Sequence, residues 1–327
     1  MLIYIVRRLF MLIPMLLGIS IISFLVVCLS GDPVDVQYQL NQKVSLELKE
    51  RIKEAEGFNQ PLWQQYFRWL KGIIKFNFGI SFIDRRPVIE KIRERIPITL
   101  TINILSLLII FLIAIPIGVF SAVWEQSFFD RVMTVFVFIG FSLPTFWLAL
   151  LLMQFFGVNL HWLPVSGIRS LEFEYFSMWG KFVDLARHLI LPICLSAFTS
   201  LAGISRYMRT NMINVLKQDY IRTAYAKGLP KNRIYFRHAL KNAILPIITI
   251  LGLSVPGLIG GSVIFESIFG IPGMGKLAYD AVMSRDRYVI MGILIISSLL
   301  TLLGNFLADL AYCYADPRIR YESNNEK

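Results

Sequence analysis

Residues 270–277, GIPGMGKL, carry the spacing G-x-x-x-x-G-K between a strand-like stretch (SVIFESIF) and a helix-compatible one (KLAYDAVMS). A loop of that kind turns backbone N–H groups toward nucleotide phosphates, and its lysine reaches the β- and γ-phosphates. The hydroxyl that holds magnesium must follow the lysine, and here Lys276 is followed by Leu277. The remaining chemistry-bearing residues do not converge. Cys28, Cys194 and Cys313 lie within or at the ends of apolar runs and read as small buried hydrophobes. His161, His188 and His238 lack metal-ligand or HExxH spacing and read as ordinary loop residues. With no recognisable acid, base and nucleophile arrangement, the chain does not read as an enzyme, and no cofactor or metal is expected in it.

The elements that would position such a loop are set by composition. The 327 residues are 56% hydrophobic and 17% charged, with a mean hydropathy of +0.61, beyond the range of ordinary soluble domains. Six runs, at residues 9–31, 99–123, 132–160, 189–205, 242–265 and 288–308, are long and apolar enough for a ~30 Å hydrocarbon core, which takes about 20 helical residues. The fourth is the shortest and extends through Arg206, whose long stem carries its charge to the headgroups. None alternates apolar and polar as a membrane barrel strand does, so helices are expected. VRRLF and Cys28 raise the alternative of a targeting signal. The first run is longer than a signal core of about 7–15 residues and no A-x-A-like site ends it, so Arg7 and Arg8 read as topology-setting charges.

Between the fourth and fifth runs lie Arg206, Arg209, Lys217, Arg222, Lys227, Lys231, Arg233, Arg237 and Lys241, against one acid, Asp219. Positive charge accumulates in cytoplasmic loops, which puts residues 206–243 inside. Six spans then place both termini inside, in agreement with Arg7, Arg8, Arg318 and Arg320. Residues 32–96 also carry many bases, but the segment exceeds the ~60 residues over which loop charge governs orientation, and it reads as external. GIPGMGKL then also lies outside, where no ATP pool exists; it reads as a Gly- and Pro-punctuated turn.

The external segment reads as a helical cap. A charged helix is expected over residues 45–56, and a second after Pro61, LWQQYFRWLKGIIKF, with Leu62, Tyr66, Trp69, Leu70 and Ile73 on one face. That pattern fits a helix in the membrane interface and equally one packed over the spans. A third helix, from Pro87 in RRPVIEKIRERI, leads into the second span, with Pro97 marking the entry. Within the spans, Pro144 frees a backbone carbonyl that Ser142 and Thr145 help to satisfy, and Pro246, Pro256, Gly257, Gly260 and Gly261 predict a kinked, closely approached fifth helix. Ser142, Pro144, Thr145, Pro256, Gly257, Gly260 and Gly261 are therefore the pathway candidates, with simple helix packing as the alternative role for each. Glu266, roughly 33 Å along an unbroken helix from Ile244, belongs near the outer interface, as Asp309 does near the inner one.

The stretch DYIRTAYAKGLPKNRIYFRHALKNAILP resembles the coupling loop of ABC importer permeases, specifically the peptide and nickel subfamily with its dipeptide/oligopeptide B-type subunits. The resemblance extends over almost the whole chain, through GDP at residues 31–33, QPLWQQYFRWL, FNFGISF, RRPVIEKIRERIPITL, GFSLPTFW, ESIFGIPGMG and ADPRIRY. It implies an all-α integral membrane protein with the six-helix fold of a type I importer permease and cytoplasmic termini. The parts would be a first span (1–31), the cap (32–96), a five-helix core (97–313) with coupling loop 206–243, and a tail (314–327). The implied partners are a second homologous permease subunit, two ABC ATPase subunits that hold the ATP and magnesium, an external or periplasmic substrate-binding protein and membrane lipid; no nucleic acid is expected. The positions matching the coupling motif are Arg222, Thr223, Ala224 and Gly228, with Asp219, Lys227, Arg237 and His238 around them. Small Thr223 and Ala224 allow close helix approach and Gly228 the turn that ends the helix. The general importer pattern closes the element with a Leu-Pro pair shortly after the glycine; here Leu240 is followed by Lys241, and the pair stands at Leu245 and Pro246. Uptake of di- or oligopeptides or a nickel chelate by alternating access is the implied function, with an ion-coupled transporter or channel as the rival. The rival calls for ion-coordinating groups at the midplane or an inverted repeat.

Overall fold

In lipid each backbone N–H and C=O must be paired within the protein, which for uncharged runs of this length means helices. A computed structural model describes residues 2–29 and 46–315, and among them every regular element is helical. The GDP motif at residues 31–33, Ser45, and Arg318 and Arg320 of the ADPRIRY stretch lie outside the described residues, as do the side chains of Arg7, Pro256, Asp309 and Cys313. Four helices are long and apolar enough to cross a membrane, and two bent pairs bring the candidate crossings to six.

The helices are α1 (Leu2–Leu29), α2 (Leu46–Glu56), α3 (Leu62–Ile74), α4 (Val88–Val123), α5 (Phe128–Ser142), α6 (Thr145–Leu152) running into a π-helical turn (Met153–Asn159), and α7 (Met178–Leu216). They continue with α8 (Asp219–Ala226), α9 (Lys231–Ala243), α10 (Leu245–Ser254), α11 (Val263–Ile268), α12 (Met274–Met283) and α13 (Arg287–Ala315). Several boundaries differ from the sequence reading. The helix expected from Pro87 and the second span are one 36-residue helix, α4; Pro97 lies inside it and interrupts nothing. The third run is not one straight span, because α5 stops at Ser142 and the chain turns by 100° before Thr145. Proline has no N–H to offer the preceding turn, and it pushes the residue before it out of helical geometry; Leu143 is extended accordingly, at ψ 129°. The fourth run is the middle of a 39-residue helix, about 58 Å long. The fifth bends by 42° between α9 and α10, tightens into a 3-10 turn at Val255–Leu258, and ends there. The unbroken helix from Ile244 to Glu266 does not exist.

The chain divides into two compact units, within residues 1–99, 259–266 and 272–307, and within 100–258, 267–271 and 308–327. In the first, Phe24 and Val27 of α1, Trp69 of α3, Val88 and Ile92 of α4, Leu277 of α12 and Met291 of α13 share one core. Tyr66, Leu70 and Ile73 of α3 pack against it, so this face of α3 is a packing face; Leu62 is exposed. At its edge the buried guanidinium of Arg287 lies between the rings of Phe24 and Phe58, 5.1 and 5.2 Å from their centroids. It also donates to Gln65 Oε1 at 3.2 Å and Cys28 Sγ at 2.8 Å. Cys28 is therefore a hydrogen-bond acceptor in a clamp that joins α1, the cap and α13. A second clasp holds the turn before α4. Burial would raise the Asp84 carboxyl, but bonds from Lys91, Ser81 and the Arg86 N–H outweigh it and hold the pKa at about 2. A depressed carboxylate stabilises the fold above its ordinary range near pH 4, and that contribution fades as pH falls toward 2.

In the second unit the core brings together Val119 and Ala122 of α4, Met208 and Met212 of α7, Ile221 and Ala224 of α8, and Ile234, Ala239 and Ala243 of α9. His188, expected in a loop, is buried inside α7 with Nδ1 2.8 Å from the Asp184 carbonyl, and Cys194, expected to be buried, is exposed on α7. The helical position of His188 follows from α7 being longer than its apolar stretch, so that its first turns carry polar residues.

The Arg287 clamp makes a prediction. Arg287→Ala empties the space between two rings and leaves the Gln65 acceptor unpaired, at about 2–4 kcal/mol; Arg287→Lys restores the charge but not the planar fork and rescues little. Thermal unfolding in lipid should show both variants several degrees below the parent, and an unchanged midpoint for Arg287→Ala would remove the clamp from the account.

Candidate functional site

The glycine-rich run does cradle an anion, and the anion is the chain's own Glu266. That buried carboxylate accepts from the Lys276 N–H at 2.8 Å and the Thr99 hydroxyl at 3.1 Å, while Thr99 Oγ1 accepts from the Met274 N–H at 2.9 Å. The backbone donors, Met274 and Lys276, belong to the first turn of α12, where unpaired N–H groups and the helix dipole favour negative charge. A Cβ on Gly273 would stand 2.4 Å from the Glu266 carboxyl carbon, and one on Gly275 would stand 2.6 Å from the Ser262 backbone. The spacing that looked like a nucleotide loop is thus a consequence of seating a side-chain carboxylate against a helix start.

The residues that match the coupling motif lie on and around α8. Ile221 is fully buried and Ala224 nearly so in the second-unit core, whereas Tyr220, Arg222, Thr223, Tyr225 and Lys227 are exposed. Ala224 is therefore small because α7 and α9 pack over it; only Thr223 of the two small residues faces outward, and its hydroxyl is occupied by the Asp219 carbonyl at 3.0 Å. Asp219 and Arg222 form an ion pair at 3.6 Å on the surface, a contact worth little in water. Burial, together with a hydrogen bond to Tyr235, pushes the Tyr225 phenol up to about 12, so it remains protonated.

Helix α8 ends in a Schellman motif. The Gly228 N–H bonds the Tyr225 carbonyl at 2.9 Å and the Leu229 N–H bonds Ala224 at 3.3 Å, with Gly228 at φ +71° and open space around its would-be Cβ. Left-handed geometry, not crowding, requires glycine here. Leu229 and Pro230 then stop the helix, and α9 starts at Lys231. α8 thus ends at Ala226, far ahead of the Leu245–Pro246 pair. Arg237 and His238 lie in a π-helical turn (Ile234–Ala239) of α9, and Asn242 ties α9 to α8 by donating to the Tyr220 hydroxyl at 2.8 Å.

One linkage escaped the sequence reading. Arg209, on the last turns of α7 before α8, grips Asp130 with two bonds, Nε to Oδ1 at 2.7 Å and Nη2 to Oδ2 at 2.8 Å. Asp130 is at the start of α5, where Ser127 caps the helix and the Gln126 N–H also bonds the carboxylate. The fork ties the end of α7 to the start of α5 through two charge-assisted bonds. Asp130 falls three residues after Ser127 at the mouth of an apolar run, a cap signature that was legible; its partner, 79 residues away, was not.

The pathway candidates lie at helix ends and turns of both units. Ser142 donates to the Phe138 carbonyl at 2.8 Å, so it serves the last turn of α5 rather than the Gly140 carbonyl that Pro144 leaves free; Pro144 and Thr145 start α6. Pro256 and Gly257 lie in the 3-10 turn, where the Leu258 carbonyl accepts from Asn103 Nδ2 at 2.6 Å. Gly257 has open space about it, whereas Gly261 approaches the Gly275 N–H so closely that a Cβ would stand 2.6 Å away. Gly260 and Gly261 fall in the first unit and the others in the second.

Two family models cover most of the chain: binding-protein-dependent transport system inner membrane component over residues 114–321, and the N-terminal part of such membrane components over residues 1–103. The chain is 43% identical over 320 residues to the oligopeptide transport system permease protein AppB of Bacillus subtilis, covering 97% of this chain and 99% of that one. It is 37% identical to the di/tripeptide transport system permease protein DppB of Pseudomonas aeruginosa and 35% identical to the dipeptide transport system permease protein DppB of Escherichia coli K12. Each match covers 98% of this chain and all of the relative.

Two expectations follow from the geometry. A β-branched residue at Gly228 meets a left-handed backbone at a cost of about 1–2 kcal/mol, which would lower the population of the native helix end by a factor of roughly 5–30. Gly228→Val should insert and assemble while uptake falls well below ATP hydrolysis, and Gly228→Asn should recover much of the loss; normal uptake in the valine variant would contradict the assignment. For the fork, Arg209→Ala and Asp130→Ala should each destabilise by up to about 3–5 kcal/mol. A double-mutant cycle in lipid nanodiscs should show the pair losing far less than the sum.

Proposed function

The chain belongs to the family of binding-protein-dependent transport system inner membrane components, and on that premise we propose that it is one of two permease subunits of an ATP-driven importer of di- or oligopeptides. It is a multi-pass protein of the bacterial inner membrane. The observation that carries the reading is α8: two residues anchor it in the core, its other side is open, and a Schellman turn fixes its end. An eight-residue helix so held has no structural need for its exposed face, which therefore serves a partner.

The partner proposed for that face is the ATPase subunit. Asp219, Arg222, Thr223 and Lys227 present mixed charge at the end of α8, and Arg237 adds a base from α9. ATP binding closes the two ATPases, α8 follows, and the fork between Arg209 and Asp130 carries the displacement to α5 and the bend at Leu143. The end that holds α8 is cytoplasmic by its excess of bases. Substrate arrives from an external binding protein, and nucleotide and magnesium reside in the ATPase chains. The peptide assignment is supported by the names of the relatives above.

The test is ATP hydrolysis by the purified complex in lipid, with and without its binding protein, across a panel of dipeptides, longer peptides and nickel chelates. Stimulation by a peptide-loaded binding protein is expected. Stimulation by a nickel chelate alone would replace the peptide assignment, and uptake driven by an ion gradient without an ATPase would overturn the importer reading.

A further inference from the structure

Helix α3 has more apolar surface than its packing uses. At about 100° per residue, Trp69, Ile73, Tyr66 and Leu70 occupy the strip that meets the first-unit core. Trp63, Ile74 and Phe67 continue the same apolar arc into the next roughly 60°, and they remain 61%, 73% and 60% exposed. Beyond them come Lys71 and then Lys75; the helix contains no Asp or Glu, and among the described residues neither lysine has an acidic partner.

The depth of this edge follows from α1. The apolar crossing in α1 is Phe10–Leu29, so Ser20 lies about 14 Å and Phe24 about 8 Å inside its end. The Tyr66 hydroxyl is 2.8 Å from Ser20 Oγ, and the Tyr66 and Trp69 rings pack on Phe24 at 5.4 and 5.9 Å between centroids. α3 is thus held alongside the last turns of the span, at a level where the surroundings of a crossing helix are acyl chain and headgroup. A Trp and Phe edge flanked by lysines is the composition that partitions to that boundary.

We propose that α3 is an interfacial helix, with Trp63, Phe67 and Ile74 seated in the lipid and Lys71 and Lys75 on anionic phospholipid headgroups. It then fixes the depth of the cap, and its surroundings make the first unit sensitive to lipid charge. The proposal does not depend on the transported substrate.

The test uses the assembled complex in nanodiscs containing phosphatidylglycerol or phosphatidylcholine brominated at carbons 6 and 7 or at carbons 11 and 12. Subtracting the fluorescence of Trp63→Phe isolates the Trp63 signal. The 6,7-brominated lipid should quench it at least twofold, more strongly than the deeper label, and phosphatidylglycerol should quench more than phosphatidylcholine. Lys71→Gln with Lys75→Gln should abolish that preference while leaving the depth ranking intact. A Trp63 signal that neither lipid quenches would mean that water or a second permease subunit covers the edge, and would overturn the proposal. A lipid preference unchanged in the double variant would overturn the headgroup assignment.

Discussion

Every interruption of a helix in this molecule is governed by one requirement, that a backbone group leaving its ladder in a dry setting finds another partner. Where the 3-10 turn after α10 ends, Asn103 reaches across from α4 to the Leu258 carbonyl. Where α12 starts, its N–H groups turn to Glu266 and Thr99.

The same requirement governs how the helices around α8 are tied. α8 is short and anchored by Ile221 and Ala224, while its neighbours α7 and α9 are joined to it by turns whose hydrogen bonds are complete. The bidentate pair of Arg209 and Asp130 then ties α7 to the start of α5. The break at Leu143 lacks such a tie: Thr145 and Pro144 begin α6 without a side-chain cap.

Close approach explains the glycines better than phosphate chemistry does. Gly273 and Gly275 admit a carboxylate and a backbone strand where any side chain would collide. The lysine of the run matters for its backbone N–H. A sequence pattern that evolved around an internal anion and one that evolved around a nucleotide look alike because both need bare backbone at a helix start.

The sequence by itself determined the class of this protein, since apolar runs of about 20 residues have one physical solution in lipid. It also determined the start of α3 after Pro61 and the glycine turn that ends α8 at Gly228, both local consequences of proline or glycine geometry. Only the tertiary structure decided that Ala224 faces the core while Thr223 faces out, that α4 runs through Pro97, and that the fifth apolar run ends near Leu258. It alone paired Arg209 with Asp130, Arg287 with two rings, and Glu266 with α12. The division has a plain cause: backbone preferences and hydrophobic length are written in neighbouring residues, whereas the partner of a buried charge is chosen by packing across 79 residues or more, and no local pattern records it.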